Sequence, residues 1–125
     1  MKKYILCIGM MGLALQGYSQ SADKGKGIYA KTCIACHQAA GQGIPGAFPP
    51  LAKSDYLNKD VNRAVKGVVK GLTGPITVNG KKFSGAMPAQ ALSDQQIADA
   101  MTYVYASWGN NKTTVTPAMV KAQRK

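Results

Sequence analysis

The stretch KTCIACHQ, residues 31–38, holds Cys33 and Cys36 three apart, with His37 directly after the second. Two thiols and an imidazole at that spacing suit three chemistries: a disulfide, a zinc site, or covalent attachment of a haem. Structural zinc takes four ligands, usually thiolates and imidazoles. His37 is the single histidine of the chain, and Cys7, the third cysteine, lies in the extreme N-terminal segment, so a fourth ligand would have to be an aspartate. A redox dithiol belongs near a strand-to-helix junction of a βαβ unit, and no such pattern surrounds residues 33–36. A plain disulfide leaves His37 unexplained. Cys-x-x-Cys-His is the attachment signature for c-type haem, with two thioethers to the ring and the histidine on the iron. That chemistry accounts for all three residues.

An iron held by His37 has one further axial position. With no other histidine present, the remaining candidates are a thioether, a lysine amine, a tyrosine, or nothing. Met101 falls in the regular apolar stripe of a helix and reads as packing. Met119 lies in the C-terminal tail. Met87 differs: it sits in the loop SGAMPAQ, before Pro88 and about fifty residues after His37. No helical period calls for an apolar side chain there, and Met87 is the expected second ligand. A neutral thioether stabilises Fe(III) less than imidazole does, so His/Met ligation raises the potential and leaves no vacant position for oxygen or peroxide.

The elements that must hold these residues are mainly helical. ADKGKGIYAKT, residues 22–32, reads as a helix with Ile28 and Tyr29 inward and Lys24, Lys26 and Lys31 outward. Glycine within a helix costs roughly 1 kcal/mol against alanine, so Gly25 and Gly27 there suggest close packing. Residues 38–51 are loop, rich in glycine and proline. Asp60 to Gly71 carries Val61, Val65, Val68 and Leu72 at helical spacing, with Arg63, Lys66 and Lys70 on another, solvated face. Asn79-Gly80 between short β-compatible runs in ITVNGKKF predicts a hairpin over 76–83. Ser93 with Gln96 forms a capping box for a last long helix, with Ile97, Met101, Val104 and Tyr105 on one stripe and Gly109 closing it. Thr116 and Pro117 open a short terminal helix to about Arg124.

Met1-Lys2-Lys3, the apolar run Tyr4 to Leu15 and the small polar residues 16–21 have the order of a secretory signal peptide, cleaved after Ser19 or Ser21. The apolar run is about a dozen residues, short of the ~20 that an anchor needs, and Cys7 stands at its start, where lipidation does not fit. The expected organisation is a leader over 1–21, one domain over 22–111 and a tail over 112–125. Export points to the periplasm. Removing Lys2 and Lys3 takes 16 basic side chains to 14, which with five aspartates and no glutamate moves the balance from +11 to +9. Such charge favours acidic partners. Arg63 and Arg124 are the only arginines, and nothing resembles a nucleic-acid-binding motif. Large rings are few for an unaided core of this size, which suggests that something else fills the centre.

In order and spacing, GIYAKTCIACHQ, FPPLAKSDYL, GAMP and YVYASWGN resemble the class I, monohaem cytochromes c, above all bacterial domains found as free carriers or within periplasmic oxidoreductases. The likeness runs from Ala22 to Asn110. It implies an all-α small cytochrome c fold, three to five helices around one covalent haem c, here with a short β-hairpin insertion. It implies that the first and last helices cross, with Gly25 and Tyr29 near Tyr103. It also implies a proline carbonyl that accepts a hydrogen bond from the ligand histidine: Pro49 fits best, with Pro50 the alternative. The expected cofactor-binding set is then Cys33, Cys36, His37, Pro49 and Met87, with His37 and Met87 on the metal.

The expected function is one-electron transfer between redox partners, by a monomer that meets the membrane only through a partner. No nucleophile–base or carboxylate pair suggests catalysis. Lys81 and Lys82 are candidates for steering an acidic redox protein onto the site. A dedicated haem subunit of a larger oxidoreductase is the alternative. A five-coordinate gas sensor or peroxidase-like enzyme would require Met87 to stay off the iron.

Overall fold

The structure is a computed structural model that describes residues 16–125; residues 1–15, with Cys7 and the start of the expected leader, lie outside the described residues. Six helical segments and one hairpin follow in order: α1 (Gln16–Thr32), α2 (Ile34–His37), α3 (Asp55–Lys59), α4 (Val61–Lys70), β1 (Ile76–Val78), β2 (Lys81–Phe83), α5 (Asp94–Ala106) and α6 (Pro117–Ala122). Two of these, α2 and α3, are additional to the expected elements and bring the count above three to five. α1 begins upstream of Ala22 and runs through both candidate cleavage points.

The frame is the crossing of α1 and α5. A Cβ on Gly25 would lie 1.9 Å from the Asp99 carbonyl oxygen and 2.8 Å from Tyr103 Cβ, so only glycine lets the two backbones approach this closely. Around the crossing the rings of Tyr29, Tyr103 and Trp108 form a triangle with centroids 5.4–5.6 Å apart, tilted or edge-on, the arrangement that aromatic quadrupoles prefer. Tyr29 Oη donates to the Gln38 carbonyl (2.6 Å), which ties the crossing to the residue after His37.

Local chemistry sets most element ends. Ser54, Asp60, Ser93 and Thr116 each cap a helix through the side-chain oxygen. α5 ends at Ala106, earlier than Gly109, because Trp108 and Gly109 both take positive φ and turn the chain back. Asn79 and Gly80 have φ of 50° and 78°, as a two-residue type I′ turn requires, and Ile76 pairs with Phe83. The hairpin is pinned to α3: Asn79 N–H donates to Asp55 Oδ1 (2.8 Å), and Asp55 N–H to Asn79 Oδ1 (3.0 Å). Beyond residue 111 the tail is part of the body. Val115 and Val120 join the core with Ile97, Met101, Val104 and Tyr105, and Thr102 Oγ1 bonds both the N–H and the C=O of Val115.

Candidate haem-binding site

α1 runs almost without a break into α2, which places the motif at a corner: Cys33 N–H donates to the Tyr29 carbonyl, and His37 N–H to that of Cys33. The two thiols are unlinked and lie at the surface end of a cleft, Cys36 exposed and Cys33 half-buried. Among the described residues, no three His, Cys, Asp or Glu side chains converge as a zinc site would require.

His37 is buried, 8 % exposed, and its Nδ1 lies 2.9 Å from the carbonyl oxygen of Pro49 rather than that of Pro50. A carbonyl can only accept, so Nδ1 carries the proton and Nε2 keeps a free lone pair. Burial holds His37 below the usual imidazole range, while the Pro49 bond pulls the other way. Burial favours the neutral ring, and the hydrogen bond selects the tautomer whose Nε2 is free. Burial likewise raises the Cys33 thiol, opposed by its bond to the Thr32 hydroxyl and aided by Cys36.

Met87 is held by backbone, not by a helix. Its N–H and C=O exchange bonds with Leu72 (2.8 and 2.9 Å), just after α4, and Gln90 N–H donates to the Val68 carbonyl (2.9 Å). Gly71, at φ 78°, leaves room for this: a Cβ there would lie 2.8 Å from the Met87 carbonyl oxygen.

Between the two candidate ligands lies a cleft in two lobes, about 90 and 280 Å³, with Cys33, His37, Pro49, Leu72, Met87 and Gln90 among the walls they share. The rest of the lining is mainly aliphatic, including Leu57, Val68, Ile76, Val78, Ile97 and Met101. The site therefore joins two thiols at the rim, a neutral imidazole with a free nitrogen, a thioether, and apolar walls. That donor set fits a flat apolar iron cofactor held by thioethers.

Residues 22–108 match the sequence model of the family Cytochrome c. The chain belongs to the cytochrome c family. It is 41 % identical over 108 residues to cytochrome c-552 of Thermus thermophilus, covering 82 % of this chain and 72 % of that one. It is 32 % identical over 102 residues to the cytochrome c subunit of the quinone alcohol dehydrogenase of Gluconobacter oxydans, covering 78 % of this chain but 21 % of the subunit. Cytochrome c-555 of Chlorobaculum thiosulfatiphilum is 29 % identical over 87 residues, covering 66 % of this chain and 92 % of its own. As a member of the family this cytochrome c carries covalently bound haem c and transfers electrons.

Other parts of this cytochrome c were not read from sequence. Arg63 was expected on a solvated face with Lys66 and Lys70. Arg63 is exposed, as are Lys66 and Lys70, and it also stacks on Tyr56, 3.8 Å from the ring centroid, donates to the Tyr56 carbonyl (2.8 Å) and lines the cleft. The signal available was Ser54-Asp55, a cap followed by an acidic first turn, which would have placed Tyr56 on a helix beside α4. The hairpin presents Ile76, Val78 and Phe83 to the cleft and leaves Lys81 and Lys82 exposed.

Proposed function

We propose that Cys33 and Cys36 would hold the haem by thioethers, that His37 Nε2 and Met87 Sδ would ligate its iron, and that Pro49 is the acceptor orienting His37. The observation that carries this is the cleft itself, whose walls include Cys33, the neutral buried His37 and the backbone-stitched Met87. The haem, when bound there, supplies a one-electron couple. The chain's part is to orient and to exclude: Pro49 fixes the imidazole tautomer, the Leu72 bridge fixes Met87, and aliphatic walls keep water away.

We infer that the protein is a carrier rather than an enzyme, a reading supported by its likeness to cytochrome c-552. Its place is the periplasm, reached by a leader cleaved near residue 21. No helix among the described residues is long and apolar enough to cross a membrane. Its partners are redox enzymes with acidic docking faces, met by a monomer through Lys81 and Lys82; nucleic acid is not among them. Mass spectrometry of the protein from an exporting, haem-attaching host tests the reading. It predicts one haem mass on a chain lacking about twenty leader residues, and none on the Cys33→Ala, Cys36→Ala variant. An unmodified wild-type chain would overturn it.

A second reading, a haem subunit bound permanently to a dehydrogenase, is favoured by the likeness to the alcohol dehydrogenase subunit. Size exclusion of native extract separates the two: a free carrier elutes at its own mass, a subunit with its oxidoreductase.

A further inference from the structure

Asn110 lies just after α5, outside the cleft, and is buried at 7 % exposure. Its Nδ2 donates to the carbonyls of Leu51 and Val104, both at 2.9 Å, and its Oδ1 accepts from Ser54 N–H and Asn58 Nδ2, both at 3.3 Å. A side-chain amide offers two donors and two acceptor lone pairs, so all of its capacity is used. Three of the four partners belong to residues 51–58 and the fourth to α5. Beside it the Trp108 carbonyl accepts from Lys53 N–H (3.2 Å). The corner after α5 thus clamps the chain immediately beyond Pro49 and Pro50.

On the near side the Phe48 carbonyl accepts from Ile44 N–H (2.9 Å); on the far side Leu51 and Ala52 N–H also donate to the Gly41 carbonyl (2.7 and 2.9 Å), so Leu51 is held from both Gly41 and Asn110. Pro49 and Pro50 therefore span two anchored points. Proline fixes φ at Pro50 and restricts ψ at Pro49, so the direction of the Pro49 carbonyl follows where Leu51 is held. That carbonyl is the acceptor for His37 Nδ1.

We propose that Asn110 is a positioning residue for the ligand histidine: holding Leu51 and Ser54 against α5, it keeps the Pro49 carbonyl on His37 Nδ1 and so tunes the reduction potential. The proposal rests on His37 as iron ligand. A firm bond at Nδ1 makes Nε2 a stronger donor, which favours Fe(III) and lowers the potential. Slackening the clamp raises it.

The test uses the haem-loaded full chain, with Asn110→Ala compared against Thr102→Val. Thr102 is as buried and also makes two hydrogen bonds from α5, but to the tail rather than to the Pro49 loop. Both variants lose stability. Only Asn110→Ala is expected to raise the reduction potential and to speed solvent exchange of the His37 Nδ1 proton, by about tenfold, the scale of one weakened hydrogen bond. If Asn110→Ala fails to take up haem, Asn110→Ser carries the same two expectations. Wild-type potential and exchange in the Asn110 variants overturn the proposal, as do equal shifts in Thr102→Val. A wild-type ferric protein without a paramagnetically shifted His37 ring signal would remove the ligand assignment itself; a shifted signal indifferent to Asn110 removes the positioning role alone.

Discussion

Gly25 and Gly27 stand two residues apart in α1, yet alanine is expected to act on them in opposite directions. Relieving a helical glycine gains about 1 kcal/mol. At Gly27 nothing lies within 4 Å of the added Cβ, so Gly27→Ala collects that gain. At Gly25 the Cβ would meet the Asp99 carbonyl oxygen at 1.9 Å and carbon at 2.5 Å, and these are backbone atoms that cannot swing aside. α1 and α5 must separate, which loosens the Tyr29–Tyr103–Trp108 contacts; overpacking of this kind costs about 1–3 kcal/mol or more. Net of the propensity gain, Gly25→Ala is expected to lose about 2 kcal/mol. Denaturant titration of both haem-loaded variants, with the slope held equal to wild type, measures the difference directly. At about 4 °C per kcal/mol for a domain of this size, the melting temperatures should differ by roughly 12 °C. A Gly25→Ala protein as stable as wild type would refute the claim that backbone contact limits the crossing.

Tyr105 is fully buried and donates through Oη to the Leu57 carbonyl at 2.7 Å; burial, with the Asp60 charge adding and Arg63 opposing, pushes its pKa up to about 12. A raised phenol stabilises the fold below its ordinary value of 10.0 and loses that contribution as pH climbs from there towards about 12. Tyr105→Phe is expected to cost about 1–2 kcal/mol at neutral pH, by leaving the Leu57 carbonyl unpaired, and to flatten the alkaline limb of stability against pH. An unchanged alkaline limb would count against the buried phenol. Electron transfer to an acidic partner should slow steeply as salt rises, and Lys81→Glu with Lys82→Glu should lower the low-salt association rate about tenfold or more. Stopped-flow rates indifferent to both salt and the lysines would place docking elsewhere.

The fold class was legible in the sequence, and the candidate site residues were named from local signals. Cys33, Cys36 and His37 are contiguous, so their joint chemistry could be read at once, and Met87 stood out because no helical period explained it. Which of Pro49 and Pro50 faces His37 could not be read, because it depends on how residues 38–54 are anchored at Gly41 and Asn110. α2 and α3, at four and five residues, are too short for a period to show, and missing α3 hid the Tyr56 ring on which Arg63 lies. α5 stops before Gly109 because Ser107 is extended and Trp108 takes a positive φ, which sets its ring against Tyr29 and Tyr103. Asn110 gave no warning: its bonds to the Pro49 loop cross 52–59 residues of sequence.

The central proposal is that His37 and Met87 would both ligate the haem iron and close it to other ligands. The most direct test is the visible spectrum of the haem-loaded protein, oxidised and reduced, with carbon monoxide added to the ferrous form, for wild type and Met87→Ala. The account predicts a methionine-to-iron band in ferric wild type that Met87→Ala loses, and a ferrous wild type indifferent to carbon monoxide where the variant binds it. Ready binding of carbon monoxide by wild type would contradict the closed site and put a gas-binding or peroxide-reacting haem in its place.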